Sequence, residues 1–297
     1  MRVLRHAADG AIFQCNHDQY LEALHRPFPL LSCLIEGCVE SGRNISEGGA
    51  LYSFIQPEAV GVPNVVDALA AVRTLVDEEG RYTLDDFREA SRADWEGFEE
   101  MRRAVADCPT HGNDVGWVNE LFGEVAGGWC DFIEGHTNYL GGPFLPGFLG
   151  WTVWMRYGEL TPATPEGRKA GEPLANSIMN RTGATVKGFG SVTRSVTDRF
   201  DHSRGLGGIV GNVRFSADAL TTAKGVDALA GLIEGALDEG AYQMQVNLVS
   251  TETMRAAQEN PDDYRDLLVR IGGYLVPFVL LPEPGQREVM ARAELGL

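Results

Sequence analysis

The stretch LVRIGGYLVPF, Leu268–Phe278, sets two adjacent glycines, Gly272 and Gly273, between an arginine and a tyrosine in an otherwise apolar run. A glycine adds no packing to a buried strand and loses more backbone entropy on folding than any other residue. A Gly-Gly pair there marks a bend, a bulge or a close backbone approach, or else a position where the glycine Cα is itself the reacting atom. Which of these holds depends on what else the chain carries.

Composition sets the outer bounds. The 297 residues are 44% hydrophobic and 23% charged, enough for one large or two modest domains. A net charge of −17, from 42 acidic against 25 basic residues, argues against nucleic-acid binding and against an anionic membrane surface. No apolar run approaches the roughly 18–20 residues needed to cross a bilayer, and the opening MRVLRHAADGAIFQCNHDQ lacks the apolar core and cleavage site of a secretory leader, so a cytoplasmic protein is expected. Five scattered cysteines, Cys15, Cys33, Cys38, Cys108 and Cys130, fit reduced thiols rather than a disulfide framework.

Along the chain, LLSCLIEGCVESGRNISEGG passes from an apolar run into a Gly-, Ser- and Asn-rich loop, with Cys38 at its mouth. Pro63 with Val66, Leu69, Val72, Leu75 and Val76 predicts a helix closed by Gly80. Thr83 and Asp86 cap a second, carrying Leu84, Phe87, Trp95, Phe98 and Met101, and HGND opens a third through Trp117 to Val125. Residues 141–190 are loop-rich, which is long for unstructured backbone inside a compact domain. VDALAGLIEGALDEG reads as a helix, AYQMQVNLVS as a strand, TETMRAAQEN and PDDYRDLLVRI as two helical stretches, and GQREVMARAELG as a closing helix. Helices alternating with short strands place the chain in the α/β class.

Several patterns carry no chemistry. GLGGIVGN has Val210 where a third glycine of a nucleotide loop belongs, and no strand precedes it. Cys33 and Cys38 lack a second pair, so no metal site is expected. His111, His136 and His202 read as caps or satisfied polar residues. Cys38 and Glu40 stand apart. Two residues apart in a Gly-flanked loop, extended backbone would send both side chains to one side, a thiol and a carboxylate facing one substrate.

With Gly273 added, the chain resembles the glycyl radical enzymes along most of its length. The resemblance rests on a collinear series: EGCVESG (Glu36–Gly42), HGND (His111–Asp114), TPATPEGRKAGEPLANS (Thr161–Ser177), DHS (Asp201–Ser203), GGIVGNVRF (Gly207–Phe215), YQMQVNLVS (Tyr242–Ser250) and NPDDYRDLLVRIGGY (Asn260–Tyr274). It implies an α/β fold, the C-terminal half of a ten-stranded barrel with a Cys loop and a Gly-radical loop, divided into 1–240 carrying the Cys loop and 241–297 as the glycyl radical domain. Only glycine, lacking Cβ, lets a Cα-centred radical flatten without a clash.

By resemblance Gly273 stores the radical, Cys38 takes it up as a thiyl, and Glu40 is the general base of the dehydratase and C–X lyase branch. A radical decarboxylase shares the same Cys and Glu pattern. No bound cofactor is implied, but a radical S-adenosylmethionine activating enzyme is. So are anaerobic conditions and a partner, either an N-terminal half-barrel chain or a second copy of this one. A radical-bearing subunit without turnover is the alternative. Tyr52, with Leu51 and Phe54, is expected to wall the pocket of a small organic substrate. Departures from the family pattern are Ile271 and Gly272 before the radical glycine, Leu275 and Pro277 after it, and Ser41 in place of a common proline.

Overall fold

The computed structural model describes residues 2–150, 152–181, 184, 187–215, 220–271, 273–291 and 294–295. They form two compact units, one of Met1–Ala59, Gly127–Gly147 and Ser203–Gly208, the other of Val60–Ala126, Phe148–His202 and Ile209–Leu297.

The first unit opens with the long helix Arg2–His25, which buries only Ala8 and Ile12 and leaves Val3, Phe13 and Leu24 in solvent. Short helical turns follow at Pro29–Ser32, Cys38–Ser41 and Ile45–Glu47. Isolated bridges tie Ile55 to Phe144, and Gly147 to both Glu58 and Gly208. Arg204 is fixed by Asp131 at 2.7 Å and Glu134 at 2.8 Å.

In the second unit, Pro63 sits in the first turn of helix Val62–Val72, where a missing N–H costs nothing. The helix continues as a π-helical turn, Arg73–Glu78, and Gly80 at φ 60° ends it. Thr83 and Asp86 form the expected capping box. The single helix expected to reach Met101 is instead two, Leu84–Arg92 and Glu99–Ala106. Asp94 and Trp95 take φ of 51° and 66° and turn the chain between them. The turn lets the Trp95 ring drop into a core with Leu75, Phe87 and Met101 while its indole N–H reaches the Thr164 carbonyl at 3.3 Å.

The described sheet is small and parallel, ordered β2-β1-β5, with β1 Asn212–Phe215 between β2 Gln245–Asn247 and β5 Glu294–Leu295. Strands β3 Leu268–Arg270 and β4 Leu275–Pro277 make an antiparallel hairpin, with Arg270 opposite Leu275. The segment PDDYRDLLVRI is therefore helical only over the 3-10 turn Pro261–Tyr264. From Leu268 the burial period is two: Val269 and Ile271 enter a core with Trp154, Met254 and Phe278 while Leu268 stays exposed. The closing helix spans Glu283–Ala291.

The long irregular stretch after Leu160 has an organiser in its own sequence. Arg168, 5% exposed, donates from Nε to Thr164 Oγ1, from Nη1 to the carbonyls of Lys169 and Glu172, and from Nη2 to those of Thr161 and Pro162. One guanidinium thus replaces a strand ladder as the sink for this loop's carbonyls.

Candidate functional site

Gly273 lies in the four-residue connection of the β3–β4 hairpin, with φ 100°. Gly272, the other half of the pair, lies outside the described residues. In the hairpin the glycine serves a turn, and its positive φ is why a side chain is disfavoured there. Two polar side chains of β2 grip this turn. Asn247 Oδ1 accepts from Arg270 N at 3.0 Å, and Gln245 Oε1 accepts from Gly273 N at 3.2 Å. The Gly273 N–H is shared with the Ile271 carbonyl, also at 3.2 Å. Arg270 Nη2 donates to the Gly273 carbonyl at 3.3 Å. Gln245, 2% exposed, and Asn247, 7% exposed, share one face of β2 because they are two residues apart. Buried amides on one face of a short strand were the signal for this support; read as a plain alternating strand, AYQMQVNLVS does not reveal it.

Cys38 is buried and opens the helical turn Cys38–Ser41. The preceding Gly37, at φ 92°, lies so close to the returning chain that a Cβ on it would stand 2.6 Å from Leu51 N and 3.0 Å from the Gly49 carbonyl oxygen. Glu40 is exposed, and its Oε2 accepts from the Gly37 N–H at 3.0 Å. The extended backbone expected for this loop is thus replaced by a turn of helix, on which residues two apart sit about 200° apart rather than on one side. The capping bond from Gly37 to Glu40 stabilises that turn.

Tyr52 is exposed and lines an open cleft of about 280 Å³ with Phe28, Leu31, Ala50, Phe54 and Leu140. The lining is mixed, with Gln19, Glu22, Ser46 and Ser53 beside the apolar groups; Leu51, expected in the same wall, is not part of it, and neither Cys38 nor Glu40 belongs to it. Two larger clefts in the second unit, of about 740 and 670 Å³, share Arg102 and Arg181 and contain none of Gly273, Cys38, Glu40 or Tyr52. Cys38 and Glu40 belong to the first unit, Gly273 to the second.

The other titratable candidates are structural. His111 is fully buried and stacked on Phe122 at 4.5 Å, with Nε2 on the Ile178 carbonyl at 2.8 Å. Since a carbonyl only accepts, Nε2 carries the proton and Nδ1 is bare, without a partner among the described residues. Burial pushes its pKa down to about 4. Its backbone N–H donates to Asp67, which is also held by Arg181 at 2.7 Å. Burial pushes the thiols of Cys108 and Cys130 up to about 11 and about 12. Among the described residues no three His, Cys, Asp or Glu side chains are grouped to hold a metal, and no helix is long and apolar enough to cross a membrane.

Residues 1–158 match the family model described as Pyruvate formate lyase-like, and residues 174–279 the model described as Glycine radical. The chain is 33% identical over 290 residues to (2S)-3-sulfopropanediol dehydratase of Klebsiella oxytoca, covering 95% of this chain and 35% of that one. It is 30% identical to trans-4-hydroxy-L-proline dehydratase of Clostridioides difficile, covering 92% and 34%. The B12-independent glycerol dehydratase of Clostridium butyricum superposes with a TM-score of 0.94 at 32% identity, over 99% of this chain and 37% of that one. The chain thus spans about a third of the length of the curated relatives it matches, and its fold is the corresponding part of a glycyl radical enzyme barrel.

Proposed function

Because the chain belongs to the pyruvate formate lyase-like family, whose members among its relatives are glycyl radical dehydratases and lyases, we propose that Gly273 is its radical site. The observation that carries this reading is the mounting of Gly273: an exposed turn glycine at φ 100°, preceded by Arg270 and followed by Tyr274, inside the matched glycine radical region. A radical S-adenosylmethionine activating enzyme removes one hydrogen atom from its Cα. Cys38 then gives its S–H hydrogen to Gly273 and becomes a thiyl.

The thiyl takes a hydrogen atom from carbon of a small hydroxylated substrate, restoring S–H and leaving a carbon radical. Glu40 accepts the proton of the adjacent hydroxyl, and the resulting radical anion expels the neighbouring group. For dehydration, that hydroxide takes the proton back from Glu40 and leaves as water. The product radical recovers its hydrogen from Cys38, so the thiyl is regenerated and atoms balance. Tyr52 contributes a phenol to the wall of the substrate pocket. In this assignment residues 1–240 carry the Cys loop and 241–297 the radical, and the remainder of the barrel comes from further polypeptide, as a partner chain or a second copy. The reaction runs in the anaerobic cytoplasm.

The bond between Glu40 and the Gly37 N–H favours a second reading, a radical-bearing subunit in which Glu40 only caps a helical turn. The deciding experiment for Gly273 is anaerobic activation with an activating enzyme, S-adenosylmethionine and a one-electron reductant, followed by electron paramagnetic resonance. A doublet from the remaining α-hydrogen is expected, absent in Gly273→Ala. That variant is expected to fold: outside its two chain neighbours, the nearest described atom to its Cβ is Gln245 Nε2 at 3.6 Å, so the cost is the strain of its φ, about 1–2 kcal/mol. An equal signal in Gly273→Ala refutes the assignment.

A further inference from the structure

We infer that Gln245 and Arg270 act as a matched pair on the peptide units flanking Gly273, fixing where the unpaired electron of its radical resides. The inference rests on the reading of Gly273 as the radical site. A Cα radical between an amide nitrogen and a carbonyl is stabilised from both sides, the nitrogen lone pair donating into the half-filled orbital and the carbonyl withdrawing from it. Each contribution depends on what the outer atoms touch. An acceptor on the N–H raises electron density on nitrogen and strengthens donation. A cationic donor on the carbonyl oxygen strengthens withdrawal.

Gly273 has both. Gln245 Oε1 lies 3.2 Å from its nitrogen and the Arg270 guanidinium 3.3 Å from its oxygen. The Gln245 amide is buried on β2, and its Nε2 has no partner among the described residues. That Nε2 stands 3.6 Å from where a Cβ of Gly273 would be, which is along one of its two Cα–H bonds. One side chain therefore borders both the nitrogen and one hydrogen of the reacting carbon. The turn needs no such arrangement to fold, since the Ile271 N–H donates to the Tyr274 carbonyl at 3.0 Å across the connection and closes the hairpin. β2 holds its end fixed through pairing with β1, with Gln245 opposite Asn212.

A purely structural clamp and an electronic one differ in spin distribution. Loss of either partner concentrates spin on Cα, which widens the α-proton doublet and, in protein labelled with nitrogen-15 at glycine, narrows the nitrogen splitting. The activated chain is compared with Gln245→Leu, Gln245→Glu, Arg270→Met and Arg270→Lys, each checked for folding by circular dichroism. The Leu and Met variants are expected to show the wider doublet. Their radicals are quenched by an added small thiol roughly two- to tenfold faster, the worth of one hydrogen bond. Gln245→Glu keeps an acceptor on the N–H and Arg270→Lys keeps a cation, so both stay close to the parent splitting. If Gln245→Leu does not fold, Arg270→Met and Gln245→Glu decide. A doublet of unchanged width and quenching rate in the folded Leu or Met variants overturns the pairing and leaves Gly273 as the radical site. No doublet in the parent chain overturns the radical assignment, and the pairing with it.

Discussion

His111 is protonated at a cost that the fold makes visible, and acid is the perturbation that measures it. The ring is sealed, stacked on Phe122 and donating from Nε2 to Ile178, so a second proton on Nδ1 finds no acceptor among the described residues. Burial lowers its pKa from 6.5 to about 4. A depressed basic group resists protonation in the folded state, so the unfolded chain binds the extra proton and stability is lost as pH falls from 6.5 toward 4. The difference of about 2.5 units amounts to about 3 kcal/mol. Asp67, bonded to the His111 backbone, is pushed up to about 6, mainly by burial, and acts in the opposite sense over much the same window. The assay must therefore compare His111→Phe with the parent chain, because Asp67 titrates in both and cancels. At pH 7.5 the variant should be about 1–2 kcal/mol less stable, its ring packing kept and the Ile178 carbonyl unpaired. By pH 4 the gap should close and reverse. Urea denaturation followed by circular dichroism at pH 7.5, 6, 5 and 4 reads it directly. Parallel stability curves for the two proteins refute the reasoning.

Further predictions concern the loops. Gly37→Ala places a methyl against the backbone of Leu51 and Gly49 at positive φ and should lower the unfolding free energy by about 3 kcal/mol, read by denaturant titration, with loss of turnover. Arg168→Lys should expose residues 161–172 to hydrogen exchange and proteolysis, because a compact ammonium cannot serve five acceptors in a fork. Cys38→Ser should retain the Gly273 radical signal and abolish turnover, since a serine O–H does not yield its hydrogen atom. Glu40→Gln should retain isotope exchange with labelled substrate and lose elimination; normal turnover in that variant makes Glu40 a helix cap only.

What was legible in the sequence follows physical range. Local rules worked where the cause was local: the Thr83–Asp86 capping box, Pro63 at a helix start and the stop at Gly80. They failed where a distant core decided. Trp95 breaks a helix that its spacing alone would continue, because its indole reaches Thr164, and the run after Asp266 turns to strand because Val269 and Ile271 must face Trp154. The Cys38–Glu40 spacing puts both side chains on one side only if the backbone is extended, and the positive φ of Gly37 starts a helical turn instead. The order of motifs points to Gly273 as a candidate, while its grip by Gln245 depends on β2 lying beside the hairpin, which no spacing along the chain encodes.

The opening helix Arg2–His25 gives the protein a colloidal character. It holds Val3, Phe13 and Leu24 in water at 79%, 71% and 55% exposure, on a chain whose net charge is −17. Mutual repulsion between copies keeps such surfaces apart only across the screening distance, about 10 Å at 0.1 M salt and about 3 Å at 1 M. Raising ionic strength therefore removes the barrier and leaves the attraction between apolar faces intact, so light scattering from this protein should climb with added salt instead of falling.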